Sequence, residues 1–165
     1  MIRMFREMRR FKQALSKEDC IKILEGQNTG VLAVNGDDGY PYAVPMSYIY
    51  ADGKIYFHSA KSGHKNDAIM RNPKVSFCVT ETDVILPKDF TSSFRSVIAF
   101  GEARIIESDE EKRAVMESYT KKYSPHEPQE NADKKIAARF AAVAIIEMQI
   151  QHLSGKESMD LVKMR

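Results

Sequence analysis

Between His58 and Lys65 the chain reads His-Ser-Ala-Lys-Ser-Gly-His-Lys, its densest run of side chains able to do chemistry. Ser59 and Ser62 offer hydroxyls, Lys61 and Lys65 offer full positive charges, and His58 and His64 offer imidazole nitrogens that can donate or accept a hydrogen bond. A glycine-containing loop that feeds a helix start also exposes unpaired backbone N–H groups, where the helix dipole adds partial positive charge. Such a constellation suits an anion, and a phosphate is the natural guest. The alternative is a surface loop with solvated lysines, and the spacing matches neither a P-loop nor a dinucleotide fingerprint. His58, at a strand end, is open to two readings: a satisfied structural hydrogen bond, or a group that donates a proton or orients a substrate. No Cys, Asp or Ser stands with it in a nucleophilic arrangement, which argues against hydrolase chemistry.

The elements that must hold this run follow from the flanking patterns. Lys54 to His58 is rich in aromatic and β-branched residues and reads as a strand. A helix from about Lys65 to Arg71 is closed by Asn72-Pro73, which cannot continue it. Lys74 to Thr80 is a strand with Val75, Phe77 and Val79 on one face and Ser76, Cys78 and Thr80 on the other.

Upstream, Ser16 caps a helix with Asp19 in the position of the usual Glu, and Cys20, Ile23 and Leu24 share one helical face. Val31 to Val34 is a strand, Gly36-Asp37-Asp38-Gly39 a turn, and Tyr40 to Tyr50 a second strand. Pro41 and Pro45 each remove a ladder donor, so this strand belongs at an edge or carries a bulge. Downstream, Asp83 to Ser93 reads as a polar loop and Phe94 to Ile106 as a long strand, with Gly101 marking a bulge or bend. Ser108-Asp109-Glu110-Glu111 caps a helix that runs to about Tyr123, with Val115, Met116 and Tyr119 at helical spacing. Ser124 to Asn131 is a loop in the position of a lid, followed by a helical turn over 133–139. The last strand covers 141–153, and a polar tail begins at Ser154.

With 25 basic and 23 acidic residues among 165, the net charge of +2 leaves no general nucleic-acid footprint. Arg3, Arg6, Arg9, Arg10 and Lys12 form a small basic cluster that reads as a solvated arm. No apolar run approaches the ~18 residues of a membrane span, and no apolar core follows the basic start. The expected location is cytoplasmic, without nucleic-acid or membrane partners. Cys20 and Cys78 lie in apolar patterns and read as small core residues, and no Cys or His pair has zinc-finger spacing, so no metal is expected.

The run YFHSAKSGHKNDAIMRNPKVSF resembles the flavin-phosphate segment of the pyridoxamine 5′-phosphate oxidase-like split-barrel superfamily, and more narrowly its Nim (5-nitroimidazole resistance) branch. Met8-Arg9-Arg10, the stretch from Gly39 to Met46, and Gly101-Glu102-Ala103 extend the likeness over residues 5 to 155. The resemblance implies an α+β, mainly β fold in one domain: a six-stranded antiparallel split barrel over about 28–153, with peripheral helices. It implies FMN as cofactor, held at the interface of a homodimer. Ser59 and Lys65 match the family's phosphate-holding hydroxyl and lysine, with Ala60 and Lys61 in the same loop, while His64 stands where the oxidases carry arginine. Val44, Pro45, Met46 and Ser47 match the residues lining the flavin ring, and Ser96 stands where the oxidases turn a glutamine toward it. His58 falls where the Nim branch carries a histidine beside the flavin, which makes it the candidate catalytic residue. The implied activity is reduction of a small oxidised or nitro-aromatic compound with electrons from NAD(P)H. The alternatives are a flavin-binding sensor or storage protein, a heme-binding relative, and a pyridoxamine phosphate oxidase. The last is disfavoured by a chain without Trp and by its ending GKESMDLVKMR.

Overall fold

A computed structural model describes residues 4–165, so Arg3 of the basic run lies outside the described residues. The strands are β1 (Thr29–Asn35), β2 (Pro41–Ser47), β3 (Ile49–Ala51), β4 (Lys54–Ala60), β5 (Lys74–Leu86), β6 (Thr91–Ile105) and β7 (Val143–Glu157). They form one antiparallel sheet in the order β2-β1-β5-β6-β7-β4-β3. Five α-helices flank it: α1 (Lys17–Gly26), α2 (His64–Arg71), α3 (Asp109–Tyr123), α4 (Gln129–Arg139) and α5 (Met159–Val162).

The expected six-strand barrel becomes a seven-stranded sheet that hydrogen bonds do not close. The expected strand Tyr40 to Tyr50 breaks at Tyr48, whose ring is fully buried and whose hydroxyl donates to Leu24 O at 2.7 Å. Its two halves, β2 and β3, become the opposite edges of the sheet, joined by that single residue. The sheet must therefore curl until its edges meet at Tyr48, leaving a seam rather than a ladder between them. Pro41 and Pro45 sit on the edge strand β2, where a missing donor costs least.

Inside the curl, Leu32, Val34, Ile55, Phe57, Val75, Phe77, Val79, Val97, Ala99, Ile146 and Met148 form the main core, plugged by Cys20, Ile23 and Leu24 of α1. Burial pushes the Cys20 thiol up to about 11, so it packs as a small hydrophobe. A second cluster on the outside of β7 joins Ile145 to Val115 and Met116 of α3 and Ile136 of α4. Both faces of β7 are thus covered at its start, and Ala144 through Met148 are all buried.

Both Ser caps form: Asp19 N donates to Ser16 Oγ at 3.0 Å and Glu111 N to Ser108 Oγ at 3.2 Å. Gly101 sits at a register shift between β6 and β7, where a Cβ would collide with Gln149 backbone. Two further expectations fail. The polar loop 83–93 is instead a paired ribbon ending in a turn at Pro87–Asp89. The tail from Ser154 continues β7 to Glu157, because Glu157 is fully buried and paired with Arg95 and Arg165. Polarity hid a structural ion cluster there.

Candidate functional site

Alternation along β4 separates the two residues that the sequence placed side by side. Ile55, Phe57 and Ser59 point into the barrel, so His58 and Ala60 point outward. His58 lines a cavity of about 790 Å³ that lies over the seam, between β4, the end of β2, α3 and α4. Its wall includes Ser47, Met116, Tyr119, Tyr123, Arg139 and Val143. The His58 and Tyr119 rings meet edge to face, 5.0 Å between centroids. Burial first, then the charges of Arg139 and Lys65, push the His58 imidazole below its ordinary value, so it stands neutral near pH 7.

The seam is pinned by two tyrosines one helical turn apart on α3. The Tyr119 hydroxyl accepts from His58 N at 3.2 Å and reaches Tyr56 O at 2.8 Å and Ser47 O at 3.1 Å. That one oxygen ties the end of β2 to β4. The Tyr123 hydroxyl accepts from Tyr48 N at 3.0 Å and reaches Asn28 O at 2.6 Å and Tyr48 O at 2.7 Å. Lys122 Nζ donates to Gln27 O at 2.7 Å and Tyr48 O at 3.3 Å, and burial lowers its pKa. Buried phenols resist ionisation, and both tyrosines are shifted upward by burial. The sequence reading noted Tyr119 only as part of an apolar stripe. The missed signal was two hydroxyl-bearing aromatics at i and i+4.

At the other end of the β4–α2 turn, Lys61, Ser62 and Gly63 are exposed, and Gly63 has φ 135, a conformation that L side chains rarely adopt. The N–H groups of His64 and Lys65 open α2 and have no intrahelical acceptor. Ser59 is nine-tenths buried and its hydroxyl donates to Asn66 Oδ1 at 3.3 Å, while Asn66 Nδ2 donates to Ala60 O at 2.7 Å. Asn66 thereby fixes the turn from inside. His64 stacks on Tyr42 at 4.3 Å, with Nε2 3.6 Å from Asp37 Oδ2, and Asp37 also accepts from Arg71 at 2.7 Å.

Val44 and Met46 pack against the core, whereas Pro45 is exposed and Ser47 half-exposed on the outer face of β2. Ser96 is also on an outer face. The cross-strand row Pro45–Val31–Cys78–Ile98 crosses β2, β1, β5 and β6, and Ser47 and Ser96 flank its two ends on the same side. At ~4.8 Å per strand they are about 14 Å apart along the sheet. The outer face there is apolar and part-exposed: Val31 and Ile98 are about 40% exposed, while Phe100, equally exposed, has the Phe5 and His152 rings packed against it. Among the described residues no cluster of His, Cys, Asp or Glu fits a metal ion, and no helix is long and apolar enough to cross a membrane.

The family model for pyridoxamine 5′-phosphate oxidase matches residues 16–157. The chain belongs to that family. Solved structures agree on the fold. A conserved hypothetical protein, Rv2991 from Mycobacterium tuberculosis, is 22% identical with a TM-score of 0.80, over 94% of this chain and 92% of that one. A Bacteroides thetaiotaomicron protein provisionally named for 5-nitroimidazole antibiotic resistance is 21% identical with a TM-score of 0.71, over 87% and 86%. An FAD-binding protein from Mesorhizobium loti is 25% identical with a TM-score of 0.63, over 88% and 97%. No curated protein matches the chain. In this family setting, the lysine-bearing turn and the His58 cavity are the two parts of one candidate site, joined by the last three residues of β4.

Proposed function

We propose that the chain binds FMN and works as an oxidoreductase on a small oxidised compound, a nitro-aromatic among the candidates, with NAD(P)H as electron source. The observation that carries this reading is the adjacency of an outward cationic turn and an apolar cavity at the end of one strand. Lys61 and Lys65 are separated from His58 only by Ser59, Ala60 and the turn itself. A phosphate at the start of α2 would accept from the His64 and Lys65 N–H groups and from the two lysines, while Ser59 and Asn66 hold the turn in shape. The outer faces of Pro45 and Ser47 and the side chain of Ser96 offer a platform for a planar ring. Bound there, a flavin would supply electron transfer between a nicotinamide and the substrate. His58, kept neutral by its surroundings, is placed to accept or donate a proton at a small molecule in the cavity. One phosphate cradle favours FMN over a dinucleotide, even though a structural relative is named as FAD-binding.

A flavin ring on the outer sheet face would remain half exposed in a single chain. The part-exposed Val31 and Ile98 therefore support a homodimer that buries this face and the cofactor together. The decisive experiment is the absorbance spectrum of the purified protein, with the released cofactor identified by mass. Flavin bands and released FMN are expected. Failure of the apo chain to take up FMN at micromolar concentration, or a preference for FAD, would overturn the assignment.

A further inference from the structure

We infer that the cavity between α3 and α4 takes a planar aromatic compound bearing a carboxylate, and that Arg139 is the residue that selects it. This rests on the oxidoreductase reading above, with the cavity as its substrate site, and adds the class of substrate that the site prefers.

Most polar groups of the cavity wall are already spent within the chain. The Tyr119 and Tyr123 rings stack 5.6 Å apart and 17° from parallel, which makes a flat apolar surface. Both of their hydroxyls are committed to backbone groups of the seam. Thr120 Oγ1 donates to Glu117 O at 2.8 Å, Lys134 pairs with Glu130 at 2.6 Å, and Glu127 accepts from Asn131 at 3.4 Å. What remains is a short set. Among the described residues, the His58 imidazole has no hydrogen-bond partner, and neither Arg139 nor Lys135 has a carboxylate at ion-pair distance. A bound molecule is what these groups can satisfy.

The chain sets Arg139 at one particular end of the hollow. Arg139 closes α4, and its carbonyl accepts from Ala142 N at 3.0 Å as the chain turns into β7. Val143 then pairs with Ala60, two residues beyond His58. Lys112 fixes that corner: its Nζ donates to Phe140 O and lies 4.4 Å from the centre of the Phe140 ring, with Arg113 over the same ring. Those two cations are engaged there, whereas the Arg139 guanidinium stays on the cavity wall, where its charge helps keep His58 neutral. Lys135 lines the same wall one turn earlier. Glu127, the one acid of that wall among the described residues, precedes α4, so about 15 Å of helix separates it from Arg139. The cavity is therefore cationic beside His58 and acidic only at its far end. A guanidinium fork meets a carboxylate through two parallel N–H donors, a match that an uncharged amide lacks. Ser47 belongs both to this wall and to the platform proposed for the flavin, so a ring held between Arg139 and the tyrosines would lie beside the electron source.

The test uses the full chain as purified, with 4-nitrobenzoate and its uncharged counterpart 4-nitrobenzamide as probes and calorimetric titration as the readout. The carboxylate should bind at least about tenfold tighter than the amide. Arg139→Gln should bring the two within about twofold, by weakening the carboxylate and leaving the amide unchanged, and Arg139→Lys should restore part of the preference. Lys134→Gln, which removes a cation already paired with Glu130, should leave the preference intact. Arg139 is exposed and forms no ion pair among the described residues, so the urea midpoint of Arg139→Gln should match the parent's. Equal affinity of the parent for both probes, no binding of either, or a preference that survives Arg139→Gln would overturn the assignment. So would an equal loss in Lys134→Gln, the mark of a general charge effect. FMN uptake and NAD(P)H-dependent reduction of each probe are read separately. A chain that takes up no flavin yet keeps the Arg139-dependent preference would overturn the oxidoreductase reading and leave the carboxylate site standing. One that reduces both probes with equal kcat/KM would keep the oxidoreductase and overturn the selection by Arg139.

Discussion

Lys65 and His64 are neighbours at the start of α2 but have different commitments. The His64 ring is spent on Tyr42 and Asp37, which anchor α2 to the 36–39 turn, whereas Lys65 has no carboxylate partner among the described residues. In the proposed site, phosphate anchoring would therefore rest on Lys65 more than on His64. Lys65→Ala should weaken FMN about ten- to a hundred-fold, the ~1.5–3 kcal/mol of a charge-assisted hydrogen bond, as read by fluorescence titration of the apo protein. Normal binding by that variant would remove the phosphate assignment. His58 carries a different signature. Its folded pKa lies below the ordinary 6.5, so near neutrality it is uncharged folded or unfolded. Below about pH 6.5 the unfolded chain takes up the proton first and stability falls until the folded form protonates as well. His58→Gln should flatten that acid-side loss in urea titrations run across the range, and at saturating flavin it should lower turnover. An unchanged slope together with unchanged turnover would leave His58 with its structural role alone.

At the scale of elements, the weakest join in the sheet is the seam, and α3 is what holds it. Tyr119 and Tyr123 bond backbone groups of residues 28, 47, 48, 56 and 58 along it, where the backbone itself supplies the Tyr48 N to Asn28 O bond at 3.4 Å. Removing the Tyr119 hydroxyl takes a partner from the His58 N–H and from the Ser47 and Tyr56 carbonyls, so Tyr119→Phe should destabilise by about 1–3 kcal/mol, whereas Tyr123→Phe should cost less because Tyr48 N also donates to Asn28 O at 3.4 Å and Lys122 Nζ to Tyr48 O at 3.3 Å. Tyr119→Phe should also lower flavin occupancy or turnover, since His58 N and Ser47 O share that hydroxyl, while Tyr123→Phe acts further from the cavity. Equal denaturation midpoints for parent and variants would show that water serves the seam as well. The caps, the alternation of β4 to β6, the edge position of the prolines and the Gly101 bulge were legible because each is a local pattern with a local cause. The break at Tyr48 was not, since only the distant Leu24 carbonyl and the α3 tyrosines explain why a continuous apolar strand should split. The same limit applied to the candidate site. Loop chemistry located Lys61 and Lys65, but the inward turn of Ser59 and the engagement of His64 depend on Asn66 and Asp37, which spacing does not single out.

For the whole molecule, cofactor and assembly should be thermodynamically linked. On the proposed reading FMN contacts would be complete only when the part-exposed apolar face is covered by a second chain, so flavin should favour the dimer and the dimer should favour flavin. At free FMN a hundredfold above its Kd, mass action contributes ~2.7 kcal/mol to the folded assembly. With about 2–4 °C per kcal/mol for a chain of this size, the thermal midpoint should rise by roughly 5–10 °C. Because unfolding of the proposed dimer would also release subunits, the apo midpoint should climb with protein concentration, and saturating FMN should lower the dimer dissociation constant in sedimentation. Riboflavin, which lacks the phosphate, should give a much smaller shift because it forgoes Lys65 and the start of α2. A monomer that holds FMN tightly would break the linkage and place the whole flavin site within one chain. A dimer indifferent to FMN would keep the interface and move the cofactor away from it.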